Sequence, residues 1–308
     1  MEAFDADSTL GAFQIGALVS SILFGVTTTQ AYIYYNRFPE DSPLIKATVA
    51  FTWSCEAGHL ICVAHTLYTF TITDYGHPER LLERPPRSLI FFIFLTITIA
   101  VCVQVFFSYR IYILSKRLII PCLTWVLSFV RSLCGITTLV AGLKADNLAS
   151  FLAQWEWLAI TTWALSAAED VTITTSLVYL LYNQRNRGHK RTVALVDKII
   201  LWTMETGLMT TTFSIVTLIC FHAMQSNFIW VGLFVVEARV FANSLFASLN
   251  SRSVLRDISE SMQGQHLSFP AGGQRSQHAE PSVELLKTTI STRRTELEPP
   301  DMLKPNAI

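Results

Sequence analysis

From Leu89 to Tyr109 the chain carries no charged side chain, and the run closes at Arg110. A hydrocarbon core of roughly 30 Å is crossed by about 20 apolar residues in helical form. Inside lipid a segment must satisfy its own backbone hydrogen bonds, so this run is predicted to be helical despite its many β-branched residues. Gln104 lies in its inner half, where an amide needs a partner from a neighbouring helix. Composition extends the point to the whole chain. Of 308 residues, 51% are hydrophobic and 15% charged, with a mean hydropathy of +0.40. A soluble domain carries nearer a quarter charged residues. The fold class expected is all-α: a polytopic membrane bundle of seven transmembrane helices followed by a disordered C-terminal tail.

Seven stretches pass the length test: Leu10–Tyr35, Leu44–Ile72, Leu89–Leu114, Leu118–Leu143, Phe151–Tyr182, Leu195–His222 and Phe228–Leu249. The fifth is longer than a span needs and is expected to tilt or protrude. In the first, Ala12, Gly16 and Ser20 form a row of small residues that lets another helix approach closely. Tyr32, Tyr34 and Tyr35 at its end suit the interfacial aromatic belt, as do Trp155, Trp157, Tyr179 and Tyr182 on the fifth. The transmembrane domain is placed at 1–250. From Ser251 to Ile308, Ser, Thr, Gln, Glu and Pro dominate, a composition that cannot bury a core. Val254, Ile258 and Met262 recur at helical spacing there, which fits either a surface-lying helix or an extension of the seventh span.

The N-terminus is acidic and lacks a basic leader, so the first span is expected to act as an uncleaved anchor. Lysines and arginines gather at the loops opposite the N-terminus, among them Arg110, Lys116, Arg117 and the Arg185–Arg191 loop. That bias places the N-terminus outside and the C-terminus in the cytosol, in a plasma membrane or endomembrane. The same basic groups are candidates for contact with a cytosolic signalling partner. With 23 basic and 23 acidic residues, nothing points to nucleic acid. The cysteines all fall in apolar segments and read as small buried residues.

The residues most able to carry chemistry are the charges within spans. Each costs about 2.5–3.5 kcal/mol at a helix centre, so each should face the interior and find a partner. They are Glu56, Arg131, Glu169, Asp170, Glu205, Glu237 and Arg239, joined by His59, Gln104 and Asn243. Glu56 and His59 lie one turn apart on one helix face. Arg131 and Arg239 are each expected to pair with an acid of another span, from Glu56, Asp170, Glu205 or Glu237. Acids outnumber arginines, so some carboxyls are surplus and available for protons or a ligand. The functional reading is a polar intramembrane cavity; the plain alternative is a set of ion pairs that hold helices in register.

Several chemistries lack their residues. The seventh span has no lysine for a Schiff base. His59 and His65 do not share a helix face, which disfavours a zinc hydrolase. No nucleophile–histidine–acid set, phosphate-binding loop or dinucleotide fingerprint is present. No cofactor, metal or enzymatic activity is therefore expected.

A set of ordered pieces carries a resemblance. It comprises Leu23-Phe24-Gly25 with Gln30, Tyr32 and Tyr34, then His59 with Tyr68. Next come Val103-Gln104, Phe106-Phe107, Arg110, Tyr112 and Leu114-Ser115. Asp170, Asp197-Lys198, Thr206-Gly207-Leu208, Asn243-Ser244-Leu245 and Leu249-Asn250 with Arg252 complete it. Together they resemble a fungal family of seven-span membrane proteins, abundant in mushroom-forming fungi and known as a domain of unknown function. Glu56 stands where that pattern has aspartate, and Arg239 with Phe241 where it has lysine and tyrosine. The resemblance implies a membrane bundle and supplies no activity.

The functional expectation is a receptor-like bundle in the lipid bilayer that binds a small molecule. The alternative is a secondary transporter or proton-coupled carrier that uses the buried carboxylates.

Overall fold

The computed structural model describes residues 6–77, 80, 86–145, 148–185, 190–224 and 227–267. Among these there are seven long helices and no strand. They are α1 (Ala12–Arg37), α2 (Pro43–Tyr68), α3 (Arg87–Ser115), α4 (Ile119–Lys144), α5 (Leu148–Arg185), α6 (Lys190–Ala223) and α7 (Ile229–Leu267). A π-helical turn, Asp7–Gly11, leads into α1, and a second, Thr69–Thr73, follows α2. Ser42 caps α2 by accepting from the Ile45 amide, with Pro43 at the first helical position. There its missing N–H costs nothing. α3 ends on Lys116 in the left-handed conformation at φ 54°. The chain then turns straight into α4, as the three-residue link requires.

Among the described residues, five helical stretches are long and apolar enough to cross a membrane: Asp7–Arg37, Arg87–Ser115, Ile119–Lys144, Leu195–Ala223 and Ile229–Arg252. α2 and α5 have the length but not the hydropathy, since they carry Glu56, His59, Glu169 and Asp170 near their middles. An integral membrane protein is consistent with this set of helices. α5, at 38 residues, is about 57 Å long.

The centre of the bundle is α7. In its most apolar stretch 72% is buried, against 22–33% for the other four span-grade helices. Two apolar clusters pack around it. One joins Phe13, Val63, Phe70, Phe92 and Val235 towards the N-terminal end. The other joins Tyr34, Val49, Ile99, Val103, Leu245 and Phe246 towards the opposite end. α7 reaches this position partly through glycine. A Cβ on Gly16 would sit 2.5 Å from the Gly232 carbonyl oxygen, and one on Gly232 would sit 2.6 Å from the Ala12 carbonyl oxygen. The small-residue row of α1 is thus the seam on which α7 lies.

Two expectations are corrected. Tyr34 is not in an interfacial belt: it is fully buried, and its hydroxyl donates to Asp41 Oδ2 at 2.9 Å. Cys122 is exposed rather than buried. Of the two readings left open for Val254, Ile258 and Met262, the backbone fits the extension, since the helix of the seventh span continues past Leu249 to Leu267. Hydropathy marks where the surroundings change, not where a helix ends. The described residues up to 263 form one compact unit. The tail beyond residue 267 lies outside the described residues.

Candidate functional site

Between the two apolar clusters lies a polar layer centred on Arg239, which has no solvent exposure. Its Nε donates to Ser20 Oγ at 2.8 Å. Its Nη1 donates to Glu56 twice, to the backbone oxygen at 2.9 Å and to Oε2 at 2.5 Å. Nη2 lies 3.2 Å from His59 Nδ1. Guanidinium only donates, so Nδ1 accepts and the His59 proton sits on Nε2. That nitrogen is 3.1 Å from Thr96 Oγ1, which passes its own hydrogen to the Phe92 carbonyl at 2.9 Å. The tautomer is thereby fixed by a one-way chain from α7 through α2 to α3. Phe24 covers the guanidinium at 5.2 Å. Asn243, one turn along α7, donates to the Arg239 and Leu23 carbonyls at 2.9 and 3.3 Å.

A second polar group is built around Arg131 of α4. Its Nη1 donates to Ser166 Oγ at 2.9 Å, and its Nε is 3.8 Å from Glu169 Oε2. Ser166 meets Ser214 at 3.3 Å. Ser214 donates to Glu237 Oε1 at 2.8 Å, and the Trp163 indole N–H donates to Glu237 Oε2 at 3.2 Å. Four helices, α4 to α7, are joined by these contacts. Gln104 Oε1 accepts from Ser128 at 3.2 Å, which ties α3 to α4 as an amide at that depth required.

Nine of the ten candidate residues therefore lie inside the bundle. Glu205 is the exception and a correction: it is on the exposed face of α6. Its neighbour in the helix, Met204, is exposed and Thr203 buried. The partner of Arg131 is Glu169, which was not among the acids expected to pair with it. Arg110, expected at the cytosolic surface, donates instead to Ser248 Oγ of α7 at 2.7 Å. Lys116 and Arg117 are exposed. Asn186–His189 lie outside the described residues, as do the side chains of Lys190 and Arg191.

Among the described residues, two spaces of different character bear on the site. One, about 30 Å³, lies beside Asp170, Gln104, Thr210 and Ser244. That is room for two water-sized occupants and no organic molecule. The other, about 220 Å³, opens among the N-terminal ends of α1, α3 and α7 and the far ends of α4 and α6. Its walls include Phe92, Phe151, Trp163, Phe221, Trp230 and Phe234. Trp163 packs its ring 5.0 Å from Phe221 and 6.0 Å from Phe234. Sequence reasoning missed this chamber. Its aromatic residues sit in apolar runs, where they are indistinguishable from rings that face lipid. The Trp163–Glu237 bond was equally hidden, because spacing along two separate helices does not give their relative rotation.

A DUF6534 domain, from a family of unknown function, is found at residues 166–254. That segment begins in the middle of α5 and runs through α6 and most of the described α7. It contains Glu169, Asp170, Glu237, Arg239 and Asn243. No curated protein matches the chain, and no solved structure does.

Proposed function

We propose that the protein is a seven-span, receptor-like membrane protein that binds a small, largely apolar molecule in the aromatic chamber at the N-terminal end of the bundle. The N-terminus is outside and the C-terminus cytosolic, in a plasma membrane or endomembrane. The role is binding rather than catalysis. Crossing by α2 and α5 is supported by their neighbours: α2 packs against α1 and α3, and α5 against α4 and α6, all span-grade. The charges that lower their hydropathy are buried against other helices, where the bilayer does not meet them.

One observation carries the ligand reading. Trp163 is a wall of the chamber and also holds Glu237 through its indole N–H. An occupant that presses on this ring acts on Glu237, and through Ser214, Ser166 and Arg131 on four helices. The chamber is lined mainly by carbon. At about 220 Å³ it exceeds the roughly 150 Å³ apolar cavity that takes benzene, so a mono- or bicyclic apolar molecule fits best. Lys116 and Arg117, exposed at the opposite end, are suited to an acidic cytosolic partner.

The test is thermal unfolding of the purified protein against a panel of bicyclic terpenoids and small aromatics. A saturable rise in melting temperature is expected, lost on Gly142→Leu, which projects a side chain into the chamber near Phe151. No rise with any compound, or an equal rise in the filled variant, contradicts the reading. The second reading, a carrier, draws on the surplus of buried carboxylates over arginines. Flux of a bound compound into proteoliposomes would favour it.

A further inference from the structure

Among the described residues the buried acids are Glu56, Glu169, Asp170 and Glu237, while the buried strong bases are Arg131 and Arg239. His59 accepts from Arg239 and so adds no positive charge. Glu56 has Arg239, and Glu169 has Arg131 at 3.8 Å. Glu237 has two donors, Ser214 and Trp163. Asp170 is 6% exposed, and its Oδ2 is buried with no hydrogen-bond partner. It lines the cavity of about 30 Å³, as does Gln104, whose Nε2 is likewise buried and unpartnered.

The other polar walls of this cavity are the hydroxyls of Thr174, Thr203, Thr206, Thr210 and Ser244, and four of them have a carbonyl of their own helix to donate to. Thr203 donates to the Ile199 carbonyl at 2.8 Å, Thr206 to Trp202 at 2.9 Å, Thr210 to Gly207 at 3.1 Å and Ser244 to Phe241 at 2.7 Å. These four hydroxyls bond back onto their own helices and turn lone pairs to the cavity, while Thr210 also lies within reach of the Asp170 carboxyl. A buried carboxylate among several hydroxyl oxygens gathers negative charge and lone pairs around one small space. It is an environment that suits a small hard cation, which takes oxygen ligands. It does not suit an anion or another acceptor.

We propose that this cavity is a binding site for a monovalent cation, sodium. Asp170 is the charged ligand, and the oxygens of Thr203, Thr206, Thr210 and Ser244 are the neutral ones. The volume admits the ion together with one water, and that water accepts from Gln104 Nε2. Asp170 belongs to α5, the threonines to α6 and Ser244 to α7. The bound ion therefore draws three helices together, just below the Arg131–Glu237 network. A single carboxylate with hydroxyls matches a monovalent ion rather than a transition metal. No cluster of three histidine, cysteine or acidic residues suited to a metal is found among the described residues.

The test is thermal unfolding of the full chain in detergent, in sodium chloride against choline chloride at equal ionic strength. Sodium is expected to raise the melting temperature saturably, by about 3–6 °C at ten times its Kd. Asp170→Asn should remove the sodium-dependent rise, whereas Glu205→Gln should keep it. Ser244→Ala removes one neutral ligand and should move the half-saturating sodium concentration severalfold higher. That variant decides the matter if Asp170→Asn does not fold. Equal melting temperatures of the parent in the two salts would overturn the proposal. So would an undiminished sodium response in Asp170→Asn, or an unchanged midpoint in Ser244→Ala.

Discussion

Arg239 of α7 holds Glu56 of α2 from one nitrogen, donating to its carboxylate at 2.5 Å and to its backbone carbonyl at 2.9 Å. Both side chains are fully buried. Taking one partner from such a pair leaves an uncompensated charge in a medium of low dielectric, which costs far more than the pair itself contributes.

Arg239→Met is accordingly expected to cost about 3–5 kcal/mol of stability. Arg239→Lys should fall between, because a single ammonium cannot reach Ser20, Glu56 and His59 together. The exposed Glu205 is the internal control, and Glu205→Gln should stay within about 0.5 kcal/mol of the parent. Melting temperatures of the three purified variants measure this. A parent-like Arg239→Met would mean that no buried pair exists.

Trp163→Phe keeps an aromatic wall in the chamber and deletes the donor to Glu237. Losing one hydrogen bond to a buried carboxyl should cost roughly 1–3 kcal/mol. A small apolar ligand should still raise the melting temperature of the variant. If stability is unchanged, the indole N–H does not hold Glu237, and the route from chamber to network is lost.

The crossing of α1 and α7 gives a contrast within one helix. Gly16→Ala places a Cβ 2.5 Å from the Gly232 oxygen, and the two backbones must part, at a cost of about 1–3 kcal/mol. Gly25→Ala meets nothing within 4 Å and should gain about 0.5–1 kcal/mol from helix propensity. Thermal unfolding of both variants checks the pair. Equal effects would remove the close crossing.

Much of this interior was legible in the sequence, for a reason that can be stated. A charge within a span must be answered, so Glu56, Arg131 and Arg239 announced an ionic interior, and Glu56 was a foreseen partner of Arg239. The partner of Arg131 was not foreseen. Glu169 and Asp170 are adjacent, about 100° apart around the helix, and only the rotation of α5 decides which one meets the arginine. Glu205 failed by the same rule, since one residue of rotation separates it from an interior position. Gly16 was legible as part of a small-residue row. Its counterpart Gly232, the single glycine between Phe228 and Leu249, was not.

At the far end of α7, Arg252 donates through two nitrogens to Asp41, at 3.1 and 2.5 Å, and covers Phe38 at 4.3 Å. These bonds from Arg252 are the main reason the Asp41 carboxyl is held below its ordinary value. Partial burial opposes them, while Tyr34 and the charges of Arg252 and Lys46 assist. A depressed folded value gives stability that is complete above the unfolded aspartate value of about 3.9. It is lost as pH falls through the folded value. The melting-temperature gap between parent and Asp41→Asn should therefore be constant near neutrality and narrow as pH drops below about 4. A gap that does not change with pH would show that Asp41 acts without its charge.

Seven crossings underlie every functional statement above, and α2 and α5 are the two helices whose hydropathy leaves crossing open. Epitopes inserted singly at Glu40, His77, Ala145 and after Arg185 flank these helices, and their accessibility can be read in sealed right-side-out vesicles. The account predicts that the His77 and Ala145 epitopes are exposed, and that the Glu40 and Arg185 epitopes are protected until the membrane is opened. If Glu40 and His77 report from the same side, or Ala145 and Arg185 do, that helix does not cross and the seven-span account is wrong.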